Sequence, residues 1–246
     1  MNMELTILHL CPDCMSLYGE YANPAVLRRH LEAMGAQVTV RPVTCEDNLD
    51  FSGADLVYMG AGTERKQKLA LEKLLPGADG LKRAADRGAL LLFTGNAMEL
   101  LGTSITDAGG KVWPALRLAD FITIETDRRI TGDVIAAPAL WDASFPAVGF
   151  MNKCSATHGV AAPLFKDLPL GFGNESAHGP EGYVSGNMFA THITGPVLVK
   201  NPPFLDFLIR RIFTQKGWDI PDSLPVLPHE REAYTATLRE LQARLK

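Results

Sequence analysis

The sequence predicts an α/β fold in which helices cover both faces of a mostly parallel sheet. Three observations carry this. Apolar strand-like runs alternate with helical segments through the first 105 residues. Several of those runs end in glycine-rich or small-residue turns, such as "YMGAG" (58–62) and "FTG" (93–95). The run "ALLLFTG" (89–95) is apolar on consecutive positions, as expected of a strand buried on both faces. Such alternation places function at the C-terminal ends of the strands.

In chain order, "ELTILHL" (4–10) reads as a short strand. Residues 24–35 read as a helix, with Pro24 at its start, Leu27 and Leu31 on one face and Gly35 as its stop. "AQVTVRPV" (36–43) alternates as a strand does, and "ADLVYMGAG" (54–62) is a strand entering glycines. A helix over "RKQKLALEKLL" ends at Pro76-Gly77, and a second, over 79–88, is capped by Gly88. The strand 89–95 leads into "AMELLG", which opens a further helix. Beyond residue 110, "FITIETDRRITGDVIAA" suggests a hairpin turning at "TDRR". Glycine-rich short strands and loops follow. Residues 202–217 form an amphipathic helix with Phe204, Leu208 and Ile212 on one stripe. A proline-rich spacer, "IPDSLPVLP", precedes a terminal helix carrying Tyr234, Leu238, Leu241 and Leu245. The expected division is a main domain over 1–220, then the spacer and terminal helix over 221–246.

The 246 residues suffice for a sizeable core. A net charge of −4 gives no reason to expect a nucleic acid or an anionic membrane as partner. No apolar run approaches the roughly 18–20 residues needed to span a bilayer, and "MNMELTILHL" lacks the basic start of a signal peptide. A cytoplasmic location is the expectation. Four cysteines (Cys11, Cys14, Cys45 and Cys154) are too few and too scattered for a disulfide scaffold. "CPDC" (11–14) suits a redox dithiol or half a zinc site, but no second ligand pair stands at zinc-site spacing. The plainer reading is two thiols on a strand-to-loop turn, with no metal and no cofactor.

Six segments together resemble the class I (triad-type) glutamine amidotransferases of the cobyric acid synthase branch. They are "CPDCMSLYGEYAN" (11–23), "YMGAGTERKQ" (58–67), "LLFTGNAMELLG" (91–102), "VGFMNKCSATHG" (148–159), "LGFGNESAHGPEGY" (170–183) and "MFATHITGPVLVKNP" (188–202). Within that branch the chain is similar to GatD-type subunits, which serve a MurT-type, Mur-ligase-like partner in amidating lipid II of the cell wall. The resemblance implies a flavodoxin-like three-layer sandwich, a Mur-ligase-like partner subunit and a glutamine-like small-molecule ligand.

The family's reaction needs a cysteine thiolate at a strand-to-helix elbow and a histidine to carry its proton. In register with the resemblance, the cysteine position falls on Gly95 and the histidine position on Thr194. Both chemical groups are absent, so the resemblance implies a former nucleophile elbow. Glu20 stands where the family carries an aspartate. Gly60, Ala61 and Gly62 keep the small residues of the oxyanion turn, and Thr94, Asn96 and Asn174 are expected to border the same ligand pocket. His192 lies two residues before Thr194, on the same face of a strand; its plainer role is a hydrogen-bonded strand histidine. Cys154 is a substitute nucleophile or an inert thiol. Three thiols and two histidines near one sheet edge leave a metal site or a new activity open.

The leading functional expectation is a non-hydrolysing amidotransferase-like subunit that steadies its ligase, with the terminal-helix stripe as a docking face or as packing on its own domain. Alternatives are an amidohydrolase working through Cys154 or His192, and a small-molecule sensor or carrier using the old glutamine pocket.

Overall fold

In the computed structural model, residues 3–245 are described, apart from 223, 224, 226 and 228. Four positions of the proline-rich spacer therefore lie outside the described residues. The first sheet contains β1 (Glu4–Leu10), β2 (Gln37–Val43), β3 (Leu56–Met59), β4 (Leu90–Thr94), β10 (Tyr183–Ser185) and β11 (Met188–Thr191). Its order is β10-β11-β4-β3-β1-β2, parallel except for β10 at one edge.

Every residue of β3 and β4 is buried, because apolar side chains on both faces meet helices. Successive residues alternate between two cores. Leu90 and Leu92 join α1 (Ala22–Ala33) and α5 (Pro202–Lys216) on one face, with Leu27, Leu31, Leu208 and Ile212. Leu91 and Phe93 join α2 (Glu64–Leu74) and α3 (Ala78–Asp86) on the other, with Leu71, Leu74 and Leu81. This is the three-layer arrangement expected of the sequence. Strand order runs outward in both directions from β1 and β3, so the crevice between their C-terminal ends is the topological switch point.

A second sheet stands beside the first, in the order β6-β5-β7-β8, with β9 also paired to β7. It comprises β5 (Ser104–Thr106), β6 (Val112–Pro114), β7 (Ile122–Pro138), β8 (Ala147–His158) and β9 (Phe165–Leu170). Here two expectations are corrected. "TDRR" is not a hairpin turn: β7 continues through it and pairs with β8 on both sides, Glu125 opposite Ser155 and Ile130 opposite Lys153. The intervening residues form a bulge, and the true hairpin is β7–β8 itself. The segment after β4 is a 3-10 run, Gly95–Leu101, rather than the start of an α-helix.

Between α4 (Val197–Lys200) and α5, Asn201 clasps β8, donating to the Val148 carbonyl and accepting from the Val148 N–H, both at 2.7 Å. α6 (Glu230–Ala243) packs Tyr234 and Leu241 against Ile135 and Val148 of the second sheet, and the Tyr234 hydroxyl donates to the Pro146 carbonyl at 2.8 Å. Most of its apolar stripe is thus spent within the chain, leaving Leu245 as an exposed residue of that row.

Candidate functional site

The C-terminal ends of β1, β3, β4 and β11 bring together the segments 11–20, 60–62, 94–96 and 192–195. Gly95 follows β4 with a φ of +61°, the left-handed bend that suits glycine. Thr194 faces it. A Cβ placed on Gly95 would lie 3.0 Å from Thr194 Cγ2 and only 2.5 Å from Ala61 Cβ. The two positions read from the sequence are therefore neighbours, and the space a nucleophile's side chain would enter is already filled.

The polar groups around the bend are engaged with one another. Asn96 grips Gly62 twice: its Oδ1 accepts from the Gly62 N–H at 3.0 Å and its Nδ2 donates to the Gly62 carbonyl at 2.9 Å. Gly62 belongs to the turn, 60–62, that the resemblance implies as the oxyanion turn. Thr194 exchanges backbone hydrogen bonds with Phe150 and donates its hydroxyl to the same carbonyl at 3.2 Å. The Ala61 carbonyl accepts from the Leu17 N–H at 2.9 Å, and a Cβ on Gly60 would fall 2.7 Å from Glu20 Cβ, so the 11–20 segment sits tightly over this turn.

Glu20 is completely buried beneath it. Its carboxyl accepts from Thr94 Oγ1 and from the Gly195 N–H at 3.2 Å, and lies 3.0 Å from the Tyr58 hydroxyl. Tyr58 in turn accepts from Asn23 Nδ2 at 2.9 Å. Burial pushes the Glu20 carboxyl up to about 7, against the opposing pull of the hydrogen bonds from Thr94, Tyr58 and Gly195. Thr94 is buried and bound to a carboxyl, which leaves its hydroxyl unsuited to attack.

The remaining sequence-read residues belong to an adjoining polar cluster. His192 is buried between two carboxylates. Nδ1 is 3.1 Å from Glu181 Oε1, and Nε2 is 3.5 Å from Glu99 Oε1, too long for a close hydrogen bond. Glu181 also accepts from the Thr191 hydroxyl at 2.6 Å and the His192 N–H at 2.7 Å. Glu99 accepts from Ser155 Oγ at 2.5 Å and Gln67 Nε2 at 2.7 Å. Burial raises the Glu99 carboxyl, but the nearby His192 ring and the hydrogen bonds from Ser155 and Gln67 outweigh it and hold the group below its usual range. Lys153, also buried, donates to the carbonyls of Gly173 and Asn174; burial brings its ammonium down to about 8, partly offset by Glu181 and Glu99. Asn174 closes its own loop on Gly182 with two 3.0 Å hydrogen bonds. Glu99, Lys153, Ser155 and Tyr58 were not singled out from the sequence. The one signal was Glu99, a lone charge in the apolar run "AMELLG".

Cys154 lies at the outer edge of this cluster. Its thiol donates to Glu64 Oε1 at 3.2 Å, and Arg129 holds the same carboxylate at 2.7 Å. Burial first, then the Glu64 contact, pushes the thiol up to about 12, so the nucleophilic thiolate is scarce at neutral pH. The cavity that Cys154 borders with Asn96, Glu99, Lys153 and Ser155 is about 10 Å³, room for one water at most.

The fold and the arrangement of the elbow define a glutamine amidotransferase scaffold. Residues 6–202 match the CobB/CobQ-like glutamine amidotransferase domain, and the chain belongs to that family. Within it the chain is a GatD-type, glutamine amidotransferase-like protein. It is 28% identical over 214 residues to the GatD subunit of lipid II isoglutaminyl synthase (glutamine-hydrolyzing) from Staphylococcus aureus (strain N315), covering 87% of this chain and 86% of that one. It is 27% identical over 221 residues to the GatD subunit from Streptococcus pneumoniae (strain ATCC BAA-255 / R6), covering 88% and 84%. A glutamine amidotransferase of Thermotoga maritima has the same fold, with a TM-score of 0.53 at 10% identity over 98% of this chain and 93% of that one. A second glutamine amidotransferase structure gives 0.52 at 12% identity over 85% and 98%. Among the described residues, no helix is long and apolar enough to cross a membrane.

Proposed function

We propose that this chain is a non-hydrolysing GatD-type subunit that binds and steadies a Mur-ligase-like, MurT-type partner in cell-wall amidation. The observation that carries this reading is the elbow: glycine stands at its tip, and Ala61 fills the space a nucleophile's side chain would occupy. Three further observations support it. The Gly62 amide is satisfied by Asn96, Thr194 stands at the histidine position and is bound to Phe150, and the Cys154 thiol points at the Glu64 carboxylate, which with burial pushes it up to about 12. The relatives named above are subunits of an amidating synthase, which supports a partner for this chain too. We take residues 1–220 as the amidotransferase-like unit and 221–246 as an appended segment whose helix packs back on β7 and β8.

Co-expression with a Mur-ligase-like protein from the same genome tests the partnership. The two are expected to elute together from size exclusion at one-to-one stoichiometry, whereas separate elution at micromolar concentration would contradict it.

A further inference from the structure

Cys11, Cys14 and Cys45 take no part in the arrangement at the elbow, yet the fold gathers them. Cys11 and Cys14 follow β1, and Cys45 follows β2. The parallel register pairs Leu10 with Val43, and the Cys11 N–H donates to the Val43 carbonyl at 2.7 Å, so both strands deliver their thiols to the same end of the sheet. All three sulfurs lie within 4.8 Å of one another, and Cys14 Sγ is 3.1 Å from Cys45 Sγ. Cys11 is buried, while Cys14 and Cys45 are partly exposed.

We propose that these three cysteines form a site for a thiophilic divalent cation of the zinc type, with a solvent molecule or the neighbouring Asp13 carboxylate as fourth ligand. Two thiolates on one tetrahedral zinc, each about 2.3 Å from the metal, stand roughly 3.8 Å apart, within the spread of these sulfurs. Asp13 is already at the site, accepting from the Cys45 N–H at 3.3 Å. Binding replaces up to three thiol protons with one metal ion, releases those protons to solvent, and needs no oxidant. One cation and three thiolates leave a single negative charge, and Lys66 supplies a nearby positive one. The partly exposed Cys14 and Cys45 give the ion an entry path. A CxxC pair acting alone, the reading open from sequence, leaves out Cys45 although its sulfur lies 3.1 Å from that of Cys14.

The site also has a lever on the elbow. The same turn carries Met15, whose Sδ fills the space beside Gly62, where an added Cβ would approach it to 2.3 Å. The next residues lead to Glu20. A metal at the three thiols would therefore fasten the start of the segment that sits over the 60–62 turn.

The test uses the full chain, purified reduced and stripped of metal, then titrated with cobalt(II) and afterwards zinc(II). The expected result is one cobalt per chain, a thiolate-to-cobalt charge-transfer absorption, its loss on adding zinc, and release of protons on binding. Cys45→Ser is expected to abolish the absorption and Cys154→Ser to leave it intact, with circular dichroism verifying that each variant is folded. Absence of the absorption in the reduced wild-type chain would overturn the proposal. So would its survival in Cys45→Ser, or a stable disulfide among the three cysteines in protein kept under reducing conditions.

Discussion

Replacing Gly95 with cysteine is expected to destabilise the chain and to leave it without glutaminase activity. Two costs combine. A non-glycine residue at φ +61° carries strain of about 1–3 kcal/mol. Forcing a Cβ to within 2.5 Å of Ala61 Cβ and 3.0 Å of Thr194 Cγ2 adds about 1–3 kcal/mol of overpacking. The sum, roughly 2–6 kcal/mol, is a large part of a domain's stability. Ala61 is attached directly to backbone and has no rotamer through which to retreat, so Ala61→Gly should recover the packing part in the double variant. The strain part should remain. Urea unfolding of the wild type, both single variants and the double gives the coupling directly. Additive effects of the two substitutions would mean that Ala61 does not occupy the tip. Adding Thr194→His places a larger side chain on the same crowded face, so restoring both family groups alone should not restore turnover.

Glu20→Gln is expected to stabilise the chain above neutral pH and to flatten its stability profile below it. The carboxyl titrates at about 7 when folded and at 4.5 unfolded, so between those values the folded chain holds more protons. Stability from this group is fully present below pH 4.5, is lost as pH rises to about 7, and stays lost above. The displacement corresponds to roughly 3 kcal/mol. Glutamine mimics the protonated acid: its oxygen can accept from the Gly195 N–H, and its amide can donate toward Tyr58 and Thr94. The difference in unfolding free energy between variant and wild type should therefore grow from pH 4.5 to 7.5 and then level off. Parallel profiles for the two proteins would show that Glu20 is already ionised in the folded state.

The central sheet was legible because β3 and β4 are apolar at every position and end in small-residue turns, a pattern few other structures satisfy. The Gly95–Thr194 juxtaposition was legible through the resemblance, which places the family's cysteine and histidine positions on these two residues. β7 was misread because "TDRR" has the composition of a turn; only the shared partner β8 makes it a bulge. The clustering of Glu99, Glu181, Lys153 and His192 was hidden because isolated charges do not announce their partners, which come from four separate elements or loops. Cys45 was hidden for a related reason: it lies 31 residues from Cys14 and reaches it through the parallel pairing of β1 with β2. Ala61 looked like one more small residue, and its blocking position emerges only when the turn is placed over the elbow.

Ammonia release from glutamine, measured on the purified wild-type chain alone and together with its Mur-ligase-like partner, tests most directly whether the scaffold has lost its chemistry. The expected result is no release above a protein-free control in either case. Release that scales with protein concentration and disappears in Cys154→Ala or His192→Ala would contradict it.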